Sequence, residues 1–166
     1  MEAPDLVAAA KAGRAEAMTV ALVEQPYRVA GRRSPARAPV LDASWLAVVE
    51  HLRARELEGL ALVAGGRSLG GRVACRTAAE TGAVGVLCLA FPLQPPGREG
   101  RSPSRLSELD AVTVPTLVVQ GERDPYGVPP AGPAREVVVV AGDHGLKADV
   151  VAVEAAVRAW LPGVLG

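Results

Sequence analysis

Residues 59–71 read Gly-Leu-Ala-Leu-Val-Ala-Gly-Gly-Arg-Ser-Leu-Gly-Gly, and the rest of the chain is organised around them. Leu60 to Ala64 is an unbroken apolar run of the kind found in buried strands. A Gly-x-Ser-x-Gly pattern follows at residues 66–70, and residues 72–80 contain neither proline nor glycine, which favours a helix. A strand, a glycine-flanked serine and a helix predict a sharp turn with Ser68 at its tip.

The turn at Ser68 has the composition that a catalytic nucleophile requires. Strained backbone at such a turn pushes the serine hydroxyl above the carboxyl ends of the strands, and the flanking glycines leave room for close backbone approach. The N–H of Leu69 then points from the helix N-terminus toward an oxyanion forming on a substrate carbonyl. The alternative interpretation is a glycine-rich turn with an incidental serine.

Composition indicates one soluble, cytoplasmic domain spanning residues 1–166. The 18 Lys and Arg residues balance the 18 Asp and Glu residues, so nothing suggests nucleic acid or an anionic membrane as a partner. The chain has no signal-peptide pattern at its start and no apolar run of membrane-spanning length. Cys75 and Cys88 lack metal-ligand spacing, and no phosphate-binding glycine motif follows a strand. We therefore expect neither a metal nor a cofactor.

Before the turn, the sequence predicts two helices and one strand. Pro4 to Gly13 is predicted as a short helix, and Met18 to Val23 (Met-Thr-Val-Ala-Leu-Val) as the first strand. A second helix, capped by Asp42 or Ser44, runs to about Arg55.

The charged side chains of this first part are interpreted as solvated surface. Four arginines lie in a loop rich in proline and glycine, and the alternative is a positive rim that attracts an acidic substrate. These are Arg28, Arg32, Arg33 and Arg37. His51, among charged neighbours in the second helix, is interpreted as a surface histidine.

After the turn, three further apolar strands alternate with helical segments. The strands are predicted at residues 83–91, 115–120 and 135–141, and a closing helix at about residues 148–161. The proline-rich loop 92–103 is too short for a folded lid, which predicts an open site. Together with the two earlier strands, this alternation predicts a three-layer α/β/α sandwich around a mainly parallel sheet of five strands.

Three candidate functional side chains follow predicted strands. Ser68 follows the second strand, Asp124 the fourth and His144 the fifth, so all three are expected at the carboxyl edge of the sheet, where ligands bind. Of the two histidines, only His144 follows a strand into a glycine-flanked turn. Asp143 is the alternative to Asp124 as the carboxylate that pairs with the His144 imidazole. Side chains of adjacent residues tend to point apart, however, and the other interpretation of Asp143 is that it forms the turn.

Four stretches of the sequence together resemble the α/β-hydrolase superfamily, most of all its small, lidless, dienelactone-hydrolase-like branch. They are residues 65–71, residues 91–97, residues 118–125 (Val-Val-Gln-Gly-Glu-Arg-Asp-Pro) and residues 142–145 (Gly-Asp-His-Gly). The likeness extends over nearly the whole chain.

The resemblance implies a serine hydrolase that cleaves small esters or related acyl compounds through an acyl-enzyme intermediate. Ser68 would attack the acyl carbonyl, His144 would take its proton and pass it to the leaving group, and Asp124 would orient the imidazole. The implied partner is a small-molecule acyl substrate, and the implied cofactor is none.

Three further side chains are candidates for substrate binding. Tyr27 and Tyr126 could line the pocket, with half-buried packing as an equal alternative for both. Arg67, inside the turn itself, is assigned to the same group.

One departure from the family pattern concerns the beginning of the sequence. By resemblance, we expect additional strands before this segment and a His-Gly-rich loop that donates the second N–H of the oxyanion hole. The absent strand would lie between the strand at residues 18–23 and the strand before Ser68, leaving edges through which copies could associate. Three explanations are open: a start further upstream, a decayed hydrolase, or direct pairing of these two strands. The alternative function is a non-catalytic α/β-hydrolase-like module.

Overall fold

A four-stranded, fully parallel sheet forms the centre of the computed structural model, which describes residues 3–97 and 102–166. The strands are β1 (Val63–Arg67), β2 (Gly85–Leu89), β3 (Thr116–Gly121) and β4 (Arg135–Val140). They lie side by side in chain order. Their register places four residues in one row across the sheet: Arg67, Leu89, Val119 and Val138. The carboxyl ends of all four strands therefore meet at one edge.

Helices cover both faces of the sheet. In the described ranges they are α1 (Pro4–Ala15), α2 (Pro26–Val29), α3 (Ala38–Arg53), α4 (Leu69–Thr81), α5 (Leu106–Asp110), α6 (Val150–Trp160) and α7 (Pro162–Leu165). On one face, α1 and α6 pack on each other and enclose a core that includes Leu117 and Val119. On the other face, α3, α4 and α5 pack together over Val86 and Val118. The three-layer α/β/α architecture is confirmed.

None of the helices described here is both long and apolar enough to span a bilayer. Part of the short loop at residues 92–103, namely residues 98–101, lies outside the described ranges.

The strand predicted at Met18 to Val23 is wrong, and the sheet has four strands rather than five. In the part of the chain that the structure describes, β1 pairs with β2 alone, and residues 18–23 form an irregular segment. A strand exists through hydrogen bonds to a neighbouring strand, and residues 18–23 have no such neighbour among those described. Direct pairing of this segment with β1 is therefore also wrong.

A groove of about 390 Å³ separates residues 18–23 from β1, and we call it the β1-edge groove. Its lining is largely apolar and includes Val20, Leu22, Leu62 and Val63. Leu22 is 48% exposed, although leucine is usually buried. This side of the sheet thus leaves apolar surface in contact with water.

The predicted helix caps at Asp42 and Ser44 are also wrong, because α3 begins at Ala38. A proline at the second position of this helix suits its first turn, where a backbone N–H would have no acceptor. Asp42 instead accepts two hydrogen bonds from Arg76 of α4, at 2.6 and 2.9 Å. This contact, ahead of all others, raises the pKa of Arg76 and ties α3 to α4.

The strand before Ser68 lies further along the chain than the run from Leu60 to Ala64 predicts. It includes Gly65, where a Cβ would lie 2.8 Å from the Leu87 carbonyl oxygen. The glycine therefore allows β1 and β2 to approach closely. The strand continues to the residue before Ser68, so the serine follows it directly.

Candidate active site

Ser68 lies at the tip of a strained turn between β1 and α4. Its φ of 51° and ψ of −112° fall in a region that residues with a side chain rarely occupy. The N–H of Ser68 donates to the Leu89 carbonyl at 2.8 Å, which holds the turn against β2. A Cβ at Gly66 would lie 2.6 Å from the carbonyl carbon of Gly70, so this position requires glycine. The sequence thus forces the serine into a strained, partly exposed position.

The loops after β3 and β4 touch each other through their backbones. A Cβ on Gly121 would lie 2.5 Å from the carbonyl oxygen of Asp143, so only glycine permits this contact. The N–H of Arg123 donates to the carbonyl of Gly142 at 2.9 Å. These contacts bring the residues that follow each strand to a common point.

Three side chains meet at that point in a continuous chain of hydrogen bonds. Nδ1 of His144 lies 2.8 Å from Oδ2 of Asp124, and Nε2 lies 2.9 Å from the Ser68 hydroxyl oxygen. An ionised carboxylate can only accept, so Nδ1 carries the proton and Nε2 is free to accept the hydroxyl proton. The Asp124 side chain is fully buried, whereas the His144 side chain is 21% exposed. The imidazole can therefore take a proton from the serine at the surface while its other nitrogen stays bound to a buried carboxylate.

The Asp124 carboxylate is held by two further donors. The backbone N–H of Tyr126 donates to Oδ1 at 2.9 Å, and the side-chain amide of Gln120 donates to Oδ2 at 2.8 Å. The rival acid, Asp143, is exposed and accepts the N–H of Gly145 at 2.8 Å. That hydrogen bond is typical of an aspartate that forms a turn. The structure therefore places Asp124 rather than Asp143 against the imidazole.

Of the two candidate tyrosines, one lies beside this chain of hydrogen bonds. The centroids of the Tyr126 and His144 rings are 4.5 Å apart, and the ring planes are inclined by 41°. Tyr27 lies in α2, where the guanidinium of Arg28 is 5.8 Å from its ring centroid. The described contacts therefore connect Tyr126, but not Tyr27, with the imidazole.

Arg67 is engaged by the protein itself. One guanidinium nitrogen donates to the His144 carbonyl at 2.9 Å, and Nε lies 2.9 Å from a carboxylate oxygen of Asp5 in α1. Asp5 is completely buried, and this burial raises its pKa, while the Arg67 charge acts in the opposite direction. The guanidinium thus braces the backbone of His144, and its assignment to substrate binding stays a prediction.

Leu69 is the first residue of α4, so its N–H has no acceptor within the helix. This amide follows Ser68 directly and lies at the positive end of the helix dipole. Its assignment as an oxyanion donor stays a prediction.

The cysteines of α4 and β2 lie behind the turn, with the sulfur atoms of Cys75 and Cys88 3.5 Å apart. Both thiols are free and buried. The contact with Cys75, together with burial, raises the pKa of Cys88 well above its ordinary value. A protonated, buried thiol is a poor nucleophile. Among the described residues, no group of three or more His, Cys, Asp and Glu side chains could hold a metal ion.

Sequence reasoning missed two residues that contact this site, Gln120 and Asp5. Gln120 is a buried amide in an otherwise apolar run of β3, which is a signal that the sequence does contain. Asp5 carries no comparable signal, because an acidic residue in the first turn of a helix is common at surfaces.

Comparison with known proteins identifies one family. The profile of a family described as an alpha/beta hydrolase domain matches residues 1–150. No curated protein matches the chain.

Several solved structures share the fold. A protein from Xanthomonas campestris pv. campestris, assigned to the alpha/beta superfamily of hydrolases, is 21% identical with a TM-score of 0.66, covering 96% of this chain and 90% of that chain. An a/b serine hydrolase without lid from Xanthomonas campestris is 21% identical with a TM-score of 0.71, covering 99% and 75%. An alpha-beta serine hydrolase homologue from Coxiella burnetii is 16% identical with a TM-score of 0.65, covering 96% and 76%.

Proposed function

This chain belongs to the α/β-hydrolase family that matches residues 1–150, and we propose that it is a serine hydrolase that cleaves small esters or related acyl compounds. The observation that carries the proposal is the unbroken series of contacts from the Ser68 hydroxyl through His144 to Asp124, at 2.9 and 2.8 Å. A hydroxyl, an imidazole and a buried carboxylate in this order are the groups that nucleophilic acyl transfer requires.

In the proposed acylation step, the Ser68 oxygen attacks the acyl carbon while Nε2 of His144 takes the hydroxyl proton. The oxyanion that forms faces the N–H of Leu69. When the tetrahedral intermediate collapses, the bond to the leaving oxygen breaks, and His144 returns the proton to that oxygen. An acyl-enzyme ester on Ser68 and a free alcohol result.

Deacylation repeats these steps with water as the nucleophile. His144 takes a proton from the water as the water oxygen attacks the acyl carbon. When the ester bond to Ser68 breaks, His144 returns this proton to the Ser68 oxygen, and the carboxylic acid is released. Throughout, Asp124 keeps Nδ1 protonated and stabilises the imidazolium. Its burial strengthens this interaction, because water does not screen it.

The decisive experiment is labelling with a fluorophosphonate probe, followed by mass mapping of the adduct. We expect an adduct on Ser68 in the parent protein and none in Ser68→Ala. Hydrolysis of short-chain p-nitrophenyl esters should fall by at least about 10³-fold in that variant. Ser107→Ala, which removes an exposed hydroxyl in α5, is the matched control and should behave as the parent.

An unlabelled parent protein, together with equal turnover in the parent and Ser68→Ala, would overturn the proposal. That result would favour the alternative of a non-catalytic module that keeps the geometry without the chemistry.

A further inference from the structure

Gln120 is the one fully buried amide side chain next to the candidate active site in the described residues, and it lies in β3 beneath Asp124. A buried amide is costly unless its donors and acceptor are paired. In a strand whose other residues are largely apolar, a leucine or valine would avoid this cost. The contacts that the amide makes must therefore offset the cost of burying it.

The contacts of Gln120 join the loop after β3 to the chain after β2. Its oxygen accepts the N–H of Phe91 at 2.8 Å, and its nitrogen lies 3.1 Å from the Phe91 carbonyl oxygen. The amide therefore contacts both backbone polar groups of Phe91, in the chain after β2. The same nitrogen donates to the carbonyl of Gly127 at 2.8 Å and to Oδ2 of Asp124 at 2.8 Å. One amide thus ties the Asp124 loop to two neighbouring strands.

The oxygen of Asp124 that Gln120 binds is the one that faces Nδ1 of His144. We infer that Gln120 is a positioning residue, which prevents rotation of the Asp124 carboxylate and keeps Oδ2 directed at the imidazole. This inference rests on the proposed function for its effect on turnover. Its effect on the hydrogen bond between Asp124 and His144 can be measured without turnover.

The charged and titratable groups that meet this amide define what a new charge would encounter. Asp124 is in direct contact, His144 and Tyr126 contact Asp124, and Arg67 follows on the carbonyl of His144. An ionised carboxylate at position 120 would therefore lie against the Asp124 carboxylate, and like charges this close repel. A protonated carboxyl group there could donate to Oδ2 as the amide does.

The experiment compares Gln120→Met, Gln120→Glu and a matched control, Thr116→Val. Thr116 lies on the same strand and the same face as Gln120, is buried, and donates its hydroxyl to the Val114 carbonyl at 3.0 Å. Thr116→Val thus removes a buried hydrogen bond at the other end of β3. With p-nitrophenyl acetate, we expect Gln120→Met to lower kcat by about 10²-fold with KM changed by less than about 3-fold. Thr116→Val should leave both constants near those of the parent.

The variant Gln120→Glu provides a signature that a purely structural role would lack. The ratio of its kcat/KM to that of the parent should be highest at acidic pH, where the new carboxyl group is protonated and donates to Asp124. This ratio should fall as the pH rises and the carboxyl group ionises. A ratio independent of pH would contradict the inference.

Proton NMR of the imidazole Nδ1–H decides the same question in a protein that shows no turnover. The chain has only two histidines, so assignment needs a single His51→Gln variant. A downfield, slowly exchanging signal from His144 is expected in the parent and Thr116→Val, and its loss in folded Gln120→Met. An unchanged signal in Gln120→Met would overturn the inference. Failure of fluorophosphonate labelling would overturn the proposed function alone.

Discussion

The two edges of the sheet, which we call its two sides, differ in their contacts. Near β3 and β4 the buried polar groups are hydrogen-bonded and this side is well paired, whereas beside β1 apolar side chains stay in contact with water. Beyond β3 and β4, the buried carboxylate of Asp124 has contacts from Gln120, Tyr126 and His144, all within 2.9 Å. Beside β1, the described residues leave a groove of about 390 Å³ and a leucine that is 48% exposed. The candidate active site thus lies on the well-paired side, although Ser68 itself follows the strand that borders the groove.

The site is determined by the paired strands of the sheet. The chain of contacts from Ser68 to Asp124 uses the ends of β1, β3 and β4, and each is fixed by pairing within the four strands. Residues 18–23 contribute nothing to it. The geometry of the candidate site therefore depends on the paired strands and not on residues 18–23, so substitutions in these two regions should have very different effects.

The largest effect is expected at Asp124 on the well-paired side. In Asp124→Asn, the amide can donate to Nδ1, which favours the imidazole tautomer whose Nε2 carries the proton and cannot take one from Ser68. We expect kcat/KM for an activated ester to fall by about 10⁴-fold. Asp143→Asn is the matched control, and it should fall by less than about 10-fold, because Asp143 contacts a turn rather than the imidazole. Equal losses of kcat/KM in both variants would show that the assignment of Asp124 as the partner of the His144 imidazole is wrong.

A smaller effect is expected on stability, where a substitution in the core should cost more than one at the β1-edge groove. Leu117 of β3 is completely buried in the core that includes Val153 of α6, and Leu117→Ala should lower the free energy of unfolding by about 2–5 kcal/mol. Leu22→Ala, at the groove, should cost less than about 1 kcal/mol, because half of the side chain is already in water. Urea unfolding of both variants measures the difference. If the cost of Leu22→Ala equals that of Leu117→Ala, the groove is packed in solution and the two sides do not differ.

The strands beyond Ser68 could be predicted because their apolar runs are bounded by proline or glycine. In the structure each of them also has a neighbouring strand to pair with. The run from Met18 to Val23 has the same local character, yet it forms no strand. Pairing is a long-range property that periodicity does not encode. The sequence therefore identified segments able to form strands, and the structure shows which of them find a partner.

The three central site residues could be predicted for a different reason. Each of the three follows a predicted strand within a short local pattern: the serine at residues 66–70, the aspartate at residues 121–125 (Gly-Glu-Arg-Asp-Pro) and the histidine at residues 142–145 (Gly-Asp-His-Gly). The residues that hold them carry weak signals or none. Gln120 also contacts Phe91, and Asp5 contacts Arg67, across long stretches of the chain, so these contacts became visible only with the fold.

The smallest effect concerns the link between the two sides, the ion pair of Asp5 and Arg67. Asp5 belongs to α1, which also lines the groove, and Arg67 contacts the His144 backbone. Burial raises the pKa of Asp5 above its ordinary value of 3.8, so the folded protein keeps this proton to higher pH than the unfolded chain does. The contribution of Asp5 to stability is therefore complete below about pH 3.8 and is lost as the pH rises through the raised pKa.

Asp5→Asn removes this contribution, and the difference between parent and variant isolates it from all other titrating groups. The free energy of unfolding of the parent minus that of the variant should decrease as the pH rises from about 3.8 through the raised pKa of Asp5. Urea unfolding at several pH values measures this. A difference that grows with pH would mean that attraction to Arg67 outweighs the cost of burying the carboxylate. In that case the ion pair would actively stabilise the contact between α1 and the His144 loop, and the two sides would be energetically coupled.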